Sequence, residues 1–363
     1  MKNVLFASTA LVAFAGAASA EVTLSGNAEM GIFNADSVDQ NTNTAGGTFT
    51  RVDGETGFFT DIDVTFTMSG ETDGGLTFGA SIDLDESDGD PSGAFGGSTQ
   101  GGETIFLSGA FGTLTAGDTD GALEWALTQV AFNSGSLNDD ETVHGGYNGN
   151  SGLDGLYDGQ ILRYDYSFGD FGVALSAELN DATADDAGTN YNEALSDDVF
   201  GIGFKYQLDL GGSEIGLGLG YQTASVTETT SGNEVDLDTI GLSVTGSIAG
   251  FNVGLSYMTF ENYVPNSVAD GNIIENRIIT PGQDTDQIGV GIGYTTGAIS
   301  ASLNYGKYDH DSGIESDGYG LTVGYDLGGG ASVQFGYSDS TITDAAGVDT
   351  DFDRASFGVR MNF

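Results

Sequence analysis

The side chains with chemistry to offer concentrate in one long polar stretch, residues 117–159. Asp118, Asp120, Glu124, Asp139, Asp140, Glu141, Asp154 and Asp158 lie along it. Nothing there points to covalent or metal-assisted catalysis. The chain has no Cys, its two histidines, His144 and His310, fall in separate polar stretches, and it carries neither G-x-S-x-G nor H-E-x-x-H. An enzyme is not expected. What remains is electrostatics. Carboxylates facing bulk water only keep a surface in solution. Carboxylates facing basic groups across a narrow, low-dielectric lumen set up a transverse field. The basic residues are few, 8 against 54 acids for a net charge of −46. Arg163, Lys205, Arg354 and Arg360 occupy positions that a strand would turn to the same side as its polar residues; Arg51 does so less clearly.

Other acids cluster as well: Asp83, Asp85, Glu86, Asp88 and Asp90; Asp181, Asp185 and Asp186; Asp349, Asp351 and Asp353. Grouped carboxylates are the ligand type that Ca²⁺ takes, but none of these runs fits the spaced twelve-residue calcium loop. Solvated loop charge is the expectation, with no cofactor. Ca²⁺ at these acidic loops is the alternative. Nucleic acid is excluded as a partner, because phosphate backbones demand Lys and Arg.

The elements that would carry these residues are strands. Val22, Leu24, Ala28, Met30 and Ile32 alternate with polar residues, as do Ile62, Val64, Phe66 and Met68 with Asp61, Asp63, Thr65 and Thr67. The pattern recurs along the chain, through Phe200–Leu208 and Ile288–Tyr294, to Ala355, Phe357, Val359, Met361 and Phe363. Period-two alternation means a sheet with one apolar and one polar face. About sixteen such segments are present. Short Gly-rich connections (70–75, 110–113, 169–171, 210–213, 249–250, 295–298, 328–331) alternate with long polar ones (34–58, 85–103, 117–159, 180–198, 226–236, 262–286, 309–317, 339–351). Strict short–long alternation belongs to an up-and-down barrel, not to a Greek-key sandwich.

The polar face is rich in Gly, Ser and Thr, as at Gly216, Gly218 and Gly220, Gly289, Gly291 and Gly293, and Ser243, Thr245 and Ser247. Such residues bury little apolar area, so they suit a water-filled interior, with the apolar face outward in lipid. Phe168, Phe171, Phe251 and Tyr294 beside short turns, and Tyr221, Tyr257, Tyr305 and Tyr337 beside long loops, would form two interfacial rows. Within 117–159, Leu123, Ala126, Leu127 and Val130 recur at helical spacing. This predicts a helix over 122–132, with Asp118 or Asp120 as acceptors near its start.

Lys2, an apolar run from Val4 to Ala18, and the small residues Ala18-Ser19-Ala20 read as a secretory signal peptide over 1–20, leaving one barrel domain over 21–363. The fold class is thus all-β, a transmembrane antiparallel barrel of about sixteen strands. A calcium-bound β-roll would need nine-residue repeats that the chain lacks.

The mature start Glu21-Val22-Thr23-Leu24-Ser25-Gly26, the runs Asp61–Phe66 and Gly117–Trp125, Tyr164-Asp165-Tyr166-Ser167-Phe168-Gly169-Asp170-Phe171-Gly172, and the terminal Phe363 together resemble a general diffusion porin of the alphaproteobacterial, Rhodobacter type. The resemblance covers the whole chain after residue 20. It implies a homotrimer in the outer membrane, in contact with the lipid bilayer and lipopolysaccharide. It implies passive passage of small hydrophilic solutes and ions, and a third outer loop folded into the lumen as a constriction. Phe363 would then be part of the assembly signal. Small outward residues at Gly26, Ala28 and Gly109 suit close barrel–barrel contact. The loop acids would line the constriction and Arg163, Lys205, Arg354 and Arg360 the wall, giving weak cation selectivity. The scarcity of bases departs from the strong Arg cluster such channels set opposite that loop. A substrate-specific channel or a barrel adhesin is the alternative. Inward positions dominated by Gly, Ser, Thr and Asp favour general diffusion.

Overall fold

The computed structural model describes residues 21–41, 48–85, 99–132, 137, 144–157, 159–180, 196–228, 231–265 and 278–363. In chain order the elements are β1 (Glu21–Ala35), β2 (Ser37–Asn41), β3 (Thr48–Val52), β4 (Gly57–Glu71), β5 (Thr77–Asp85), β6 (Thr99–Gly109) and β7 (Gly112–Asp118). Helix α1 (Ala122–Ala126) follows, then β8 (Gln160–Phe168), β9 (Phe171–Glu178), β10 (Val199–Asp209), β11 (Ser213–Thr227), β12 (Glu234–Ile248) and β13 (Phe251–Glu261). The chain ends with β14 (Tyr263–Val264), β15 (Ile278–Ile279), β16 (Thr285–Thr296), β17 (Ile299–His310), β18 (Glu315–Gly328), β19 (Ala331–Thr343) and β20 (Asp349–Asn362). Among the described residues sixteen strands close into one antiparallel barrel, as the alternation predicts. β2–β3 and β14–β15 are small two-stranded antiparallel sheets within two of the long connections.

The seam is β1 against β20, with Met30 opposite Val359 and Ile32 opposite Phe357. The backbone N–H of Phe363 donates to the Gly26 carbonyl at 2.9 Å, so the last residue extends the ladder. Closure leaves no unpaired sheet edge, which a span through lipid requires.

Burial is inverted relative to a water-soluble sheet. Leu24, Ile62, Phe66, Leu217, Leu219, Ile240, Leu242, Val290 and Ile292 are all exposed on the outer face, while Ser243, Thr322 and Ser356 on the inner face are buried. The two aromatic rows are present. Phe168 and Phe171 stack at 5.8 Å and Phe171 meets Tyr206 at 4.5 Å on the short-turn side. At the other rim Tyr221 donates to Asp238 Oδ1 at 2.5 Å and Tyr257 to Asp286 Oδ1 at 2.7 Å. Each phenol thus carries an apolar ring with one wet end, the interfacial arrangement.

Part of the Gly-rich inner face is covered by the third long loop rather than by water. Leu123, Leu127, Leu153, Leu156 and Tyr157 of the third long loop form a buried cluster with the inward Val226, Val235, Leu237, Met258, Phe260 and Tyr308. The inner-wall glycines are the track on which the loop lies. A Cβ at Gly203, Gly218 or Gly291 would run into the carbonyls of Ala122, Ala126 or Val130, and one at Gly241 into Leu127. The bare backbone is there for close approach of a second chain segment as well as for water.

Candidate pore constriction

The third loop joins β7 to β8, and its described residues 119–132, 137, 144–157 and 159 lie against the inner wall. Its helix is shorter than the spacing predicts. It spans Ala122–Ala126, and at Leu127 the backbone turns extended, φ −88° and ψ 157°. The reason lies in the wall. The N–H of Thr128, which would continue the helix, donates instead to Ser243 Oγ at 2.9 Å on β12. Neither Asp118 nor Asp120 caps its start; Gly121 is the N-cap with no side-chain cap, and its N–H donates to Asp154 Oδ2 at 2.7 Å. The apolar spacing is real, but it serves packing against β10 and β11 rather than a long helix.

Beyond the helix the loop continues around the wall. Val130 lies on Gly289 and Gly291, and Leu137 on Gly31 and Gly358 at the seam, packed with Phe33 and Phe59. The return limb seats on β17, β18 and β19. His144 Nε2 bonds Asn304 Oδ1 at 2.5 Å, Gly145 N–H donates to Ser340 Oγ at 3.0 Å, and Ser316 Oγ donates to the Gly145 carbonyl at 2.6 Å.

Of the loop acids, Asp118 and Asp120 are exposed at the start of the loop. Glu124 is half-buried on α1; burial first, then Asp120 and Asp154, push its carboxyl up to about 8. At neutral pH it therefore carries mostly a proton, where the sequence suggests a charge. Asp154 is engaged by Gly121 N–H and by Gln222 Nε2, so it ties the loop together. Asp139, Asp140, Glu141 and Asp158 lie outside the described residues.

The basic residues fall into two groups. Arg163 on β8 reaches the loop start, donating to the Asp120 carbonyl at 2.5 Å, with Asp165 Oδ1 3.5 Å from its Nε. Lys205 on β10 holds its ammonium 3.5 Å from the centre of the Trp125 ring on α1, a cation–π contact. Arg354 and Arg360 are inward on β20, away from α1. Arg360 is paired with the buried Glu29, Nη1 to Oε1 3.4 Å. Arg51 belongs to the β2–β3 hairpin, where it pairs with Asp36 at 2.5 Å and Asp53 at 2.9 Å.

Sequence reading missed three wall acids, Glu29, Asp61 and Asp63, and counted a fourth, Asp83, as solvated loop charge where it stands on strand β5. Glu29 on β1, Asp61 and Asp63 on β4, and Asp83 on β5 share the inner face, with Glu29 in register with Asp61 and Asp63 with Asp85. Thr65 Oγ1 donates to Asp83 Oδ1 at 2.9 Å. Their parity was available, since Asp61 and Asp63 alternate with outward Ile62 and Val64. Among the described residues no group of three or more His, Cys, Asp or Glu is placed to hold a metal ion.

A sixteen-strand barrel with a loop seated on its inner wall is the geometry of a restricted channel. A family model described as Gram-negative porin matches residues 7–345. The chain belongs to that family. This porin is 29% identical to a porin of Rhodobacter capsulatus over 94% of its own length and all of the relative's. It also superposes on a porin structure refined at 1.8 Å resolution, with TM-score 0.61 and 26% identity over 94% of this chain and all of the other. The anion-selective porin from Comamonas acidovorans shares the fold, with TM-score 0.63 and 17% identity over 95% of this chain and all of that one. This porin is accordingly an outer-membrane channel for general diffusion.

Proposed function

We propose that this porin passes small hydrophilic solutes with a preference for cations, weak in magnitude, and works as a homotrimer. The observation that carries the preference is the inner wall of β1, β4 and β5. It presents Glu29, Asp61, Asp63 and Asp83 on one face, while two of the four inward bases have acidic partners close by, Arg360 with Glu29 and Arg163 with Asp165. Fixed carboxylates inside low-dielectric walls raise the local concentration of cations. Asp118 and Asp120 add to this at the loop start; Glu124 adds little until its proton leaves. The field is screened once the Debye length falls to roughly 3 Å near 1 M salt.

Reversal potentials in a salt gradient test the reading. We expect cation preference at low salt, reduced by Asp61→Asn with Asp63→Asn and by Asp118→Asn with Asp120→Asn. Anion preference of the unaltered protein, or wild-type potentials in both double variants, would refute it. The outward small residues Gly26 and Ala28 of β1 support close barrel contacts in a trimer. Light scattering in mild detergent, with detergent mass subtracted, decides between trimer and monomer. Lipopolysaccharide and the bilayer are the remaining partners, and Ca²⁺ at the acidic loops stays the alternative to bare solvated charge.

A further inference from the structure

We propose that Glu178 is the positioning residue that holds the third loop against the wall and so sets the width of the channel. Glu178 ends β9 on its inner face and is 2% exposed. Its Oε1 accepts from the N–H of Tyr157 at 3.1 Å and of Gly159 at 2.8 Å. Its Oε2 accepts from the N–H of Gly155 at 3.1 Å and of Leu156 at 3.2 Å. One carboxylate therefore takes four backbone amides from five consecutive positions of the loop's return limb. Convergence of so many N–H groups on one anion needs backbone that turns back on itself. Gly155 and Gly159 supply it, at φ 72° and 76°. The register neighbours of Glu178 are Ile161 and Val199, both buried, so the charge sits among apolar side chains, where charge-assisted bonds are strong.

The clasp reaches the constriction through a short chain of contacts. Leu153 N–H donates to Gln222 Oε1 at 2.7 Å, the Gln222 amide donates to Asp154 Oδ1, and Asp154 Oδ2 accepts from Gly121 N–H at the start of α1. Glu178 and Gln222, on neighbouring parts of the wall, thus fix both the return limb and the beginning of the helix that carries Glu124 and Trp125. A carboxylate is required because each oxygen accepts twice and neither donates. A carboxamide at this place has one accepting oxygen and presents its own N–H groups to amides that also donate.

The test is Glu178→Gln in the full-length channel reconstituted in liposomes. We expect neutral sugars of graded size to enter above the wild-type exclusion limit, single-channel conductance to rise, and amide exchange to accelerate at residues 155–159. The temperature of heat modification should stay unchanged. Glu178→Asp, which keeps both oxygens one methylene short, should restore part of the wild-type limit. Gly155→Ala disturbs the same seat from the loop side and should widen the channel in the same direction even where Glu178→Gln fails to assemble. Neutral solutes read width independently of charge, so a failure of the proposed cation preference leaves this result interpretable. A wild-type exclusion limit with unchanged exchange at 155–159, or a limit that moves only together with the heat-modification temperature, would overturn the assignment.

Discussion

Acid should unseat the return limb of the third loop at His144. The imidazole is 3% exposed. Its Nε2–H donates to Asn304 Oδ1 at 2.5 Å, and its Nδ1 accepts from Gly146 N–H at 3.2 Å. Only the neutral ring satisfies both bonds. Burial, opposed by the bond to Asn304, pulls its pKa from 6.5 down to about 4. Its described partners are uncharged, Asn304 on β17 and Tyr147 of the loop 6.2 Å away between ring centroids, while Ser316 and Ser340 hold the neighbouring Gly145 backbone. A depressed histidine pKa stabilises the seated loop fully above about pH 6.5. Between there and about pH 4 the released loop takes up the proton first, so seating weakens as pH falls, and below about 4 the whole contribution is gone. At ~1.4 kcal/mol per pKa unit the gap is worth roughly 3 kcal/mol, or on the order of 300-fold in the seating equilibrium. Single-channel recordings from about pH 7 to about pH 4.5 should show growing current noise or substates from loop movement. His144→Gln keeps a neutral donor at every pH and should flatten that dependence across the window. Identical pH profiles for the wild type and His144→Gln would refute the reasoning.

Glu124→Gln should leave the reversal potential nearly unchanged at about pH 7, where about one residue in ten is ionised given a pKa of about 8, and lower cation preference at about pH 9. Equal effects at both pH values would count against the buried, protonated side chain. Arg360→Ser leaves the buried Glu29 carboxylate beside Asp61 without its 3.4 Å partner, so the heat-modification temperature should fall, with a cost of about 3 kcal/mol, and Glu29→Gln in the same chain should recover most of it. Gly291→Leu should expel Val130 from the wall and enlarge the exclusion limit, because its Cβ would occupy the position of the Val130 carbonyl; a wild-type limit would mean the loop seats elsewhere. Deleting Phe363 removes the amide that bonds Gly26 and should lower the yield of assembled barrel, measured as the heat-modifiable fraction in outer membranes.

Strand number, topology and facing were legible because lipid outside and polar groups inside impose period two on every segment, from Val22 to Met361. The outward row of Tyr221, Tyr257 and Tyr305 followed from the same rule. The site was less legible. Alternation says that Gly203 and Gly291 face inward, but it does not say whether they face water or a loop folded back from many residues away. The helix ends at Ala126 rather than 132 because Leu127 turns extended, so the helical spacing of Leu127 and Val130 serves packing on β12 and β16. Sequence alone makes Glu124 a charge, because composition carries no information about burial. Nothing in the local sequence marks Glu178 and Gln222, and only the return of residues 153–157 and Gly159 reveals what they hold. Asp61 and Asp63 were legible by parity and were passed over for the denser acids of the loop.

Leu137 sits astride the seam. Its side chain contacts Gly31 of the first strand and Gly358 of the last, and its N–H donates to Ser356 Oγ at 3.2 Å. That seat is built from two segments at opposite ends of the chain, and it does not exist until they meet. Bringing them together is the most entropically costly loop closure in the molecule, since it joins the two termini of the barrel. The tip of the third loop can therefore lock only after the cylinder is complete. An unclosed barrel carries the loop unlatched at Leu137 even where Glu178 and Ser243 already hold its two limbs, so the last fixing point of the narrowed channel appears at the end of assembly rather than in its intermediates.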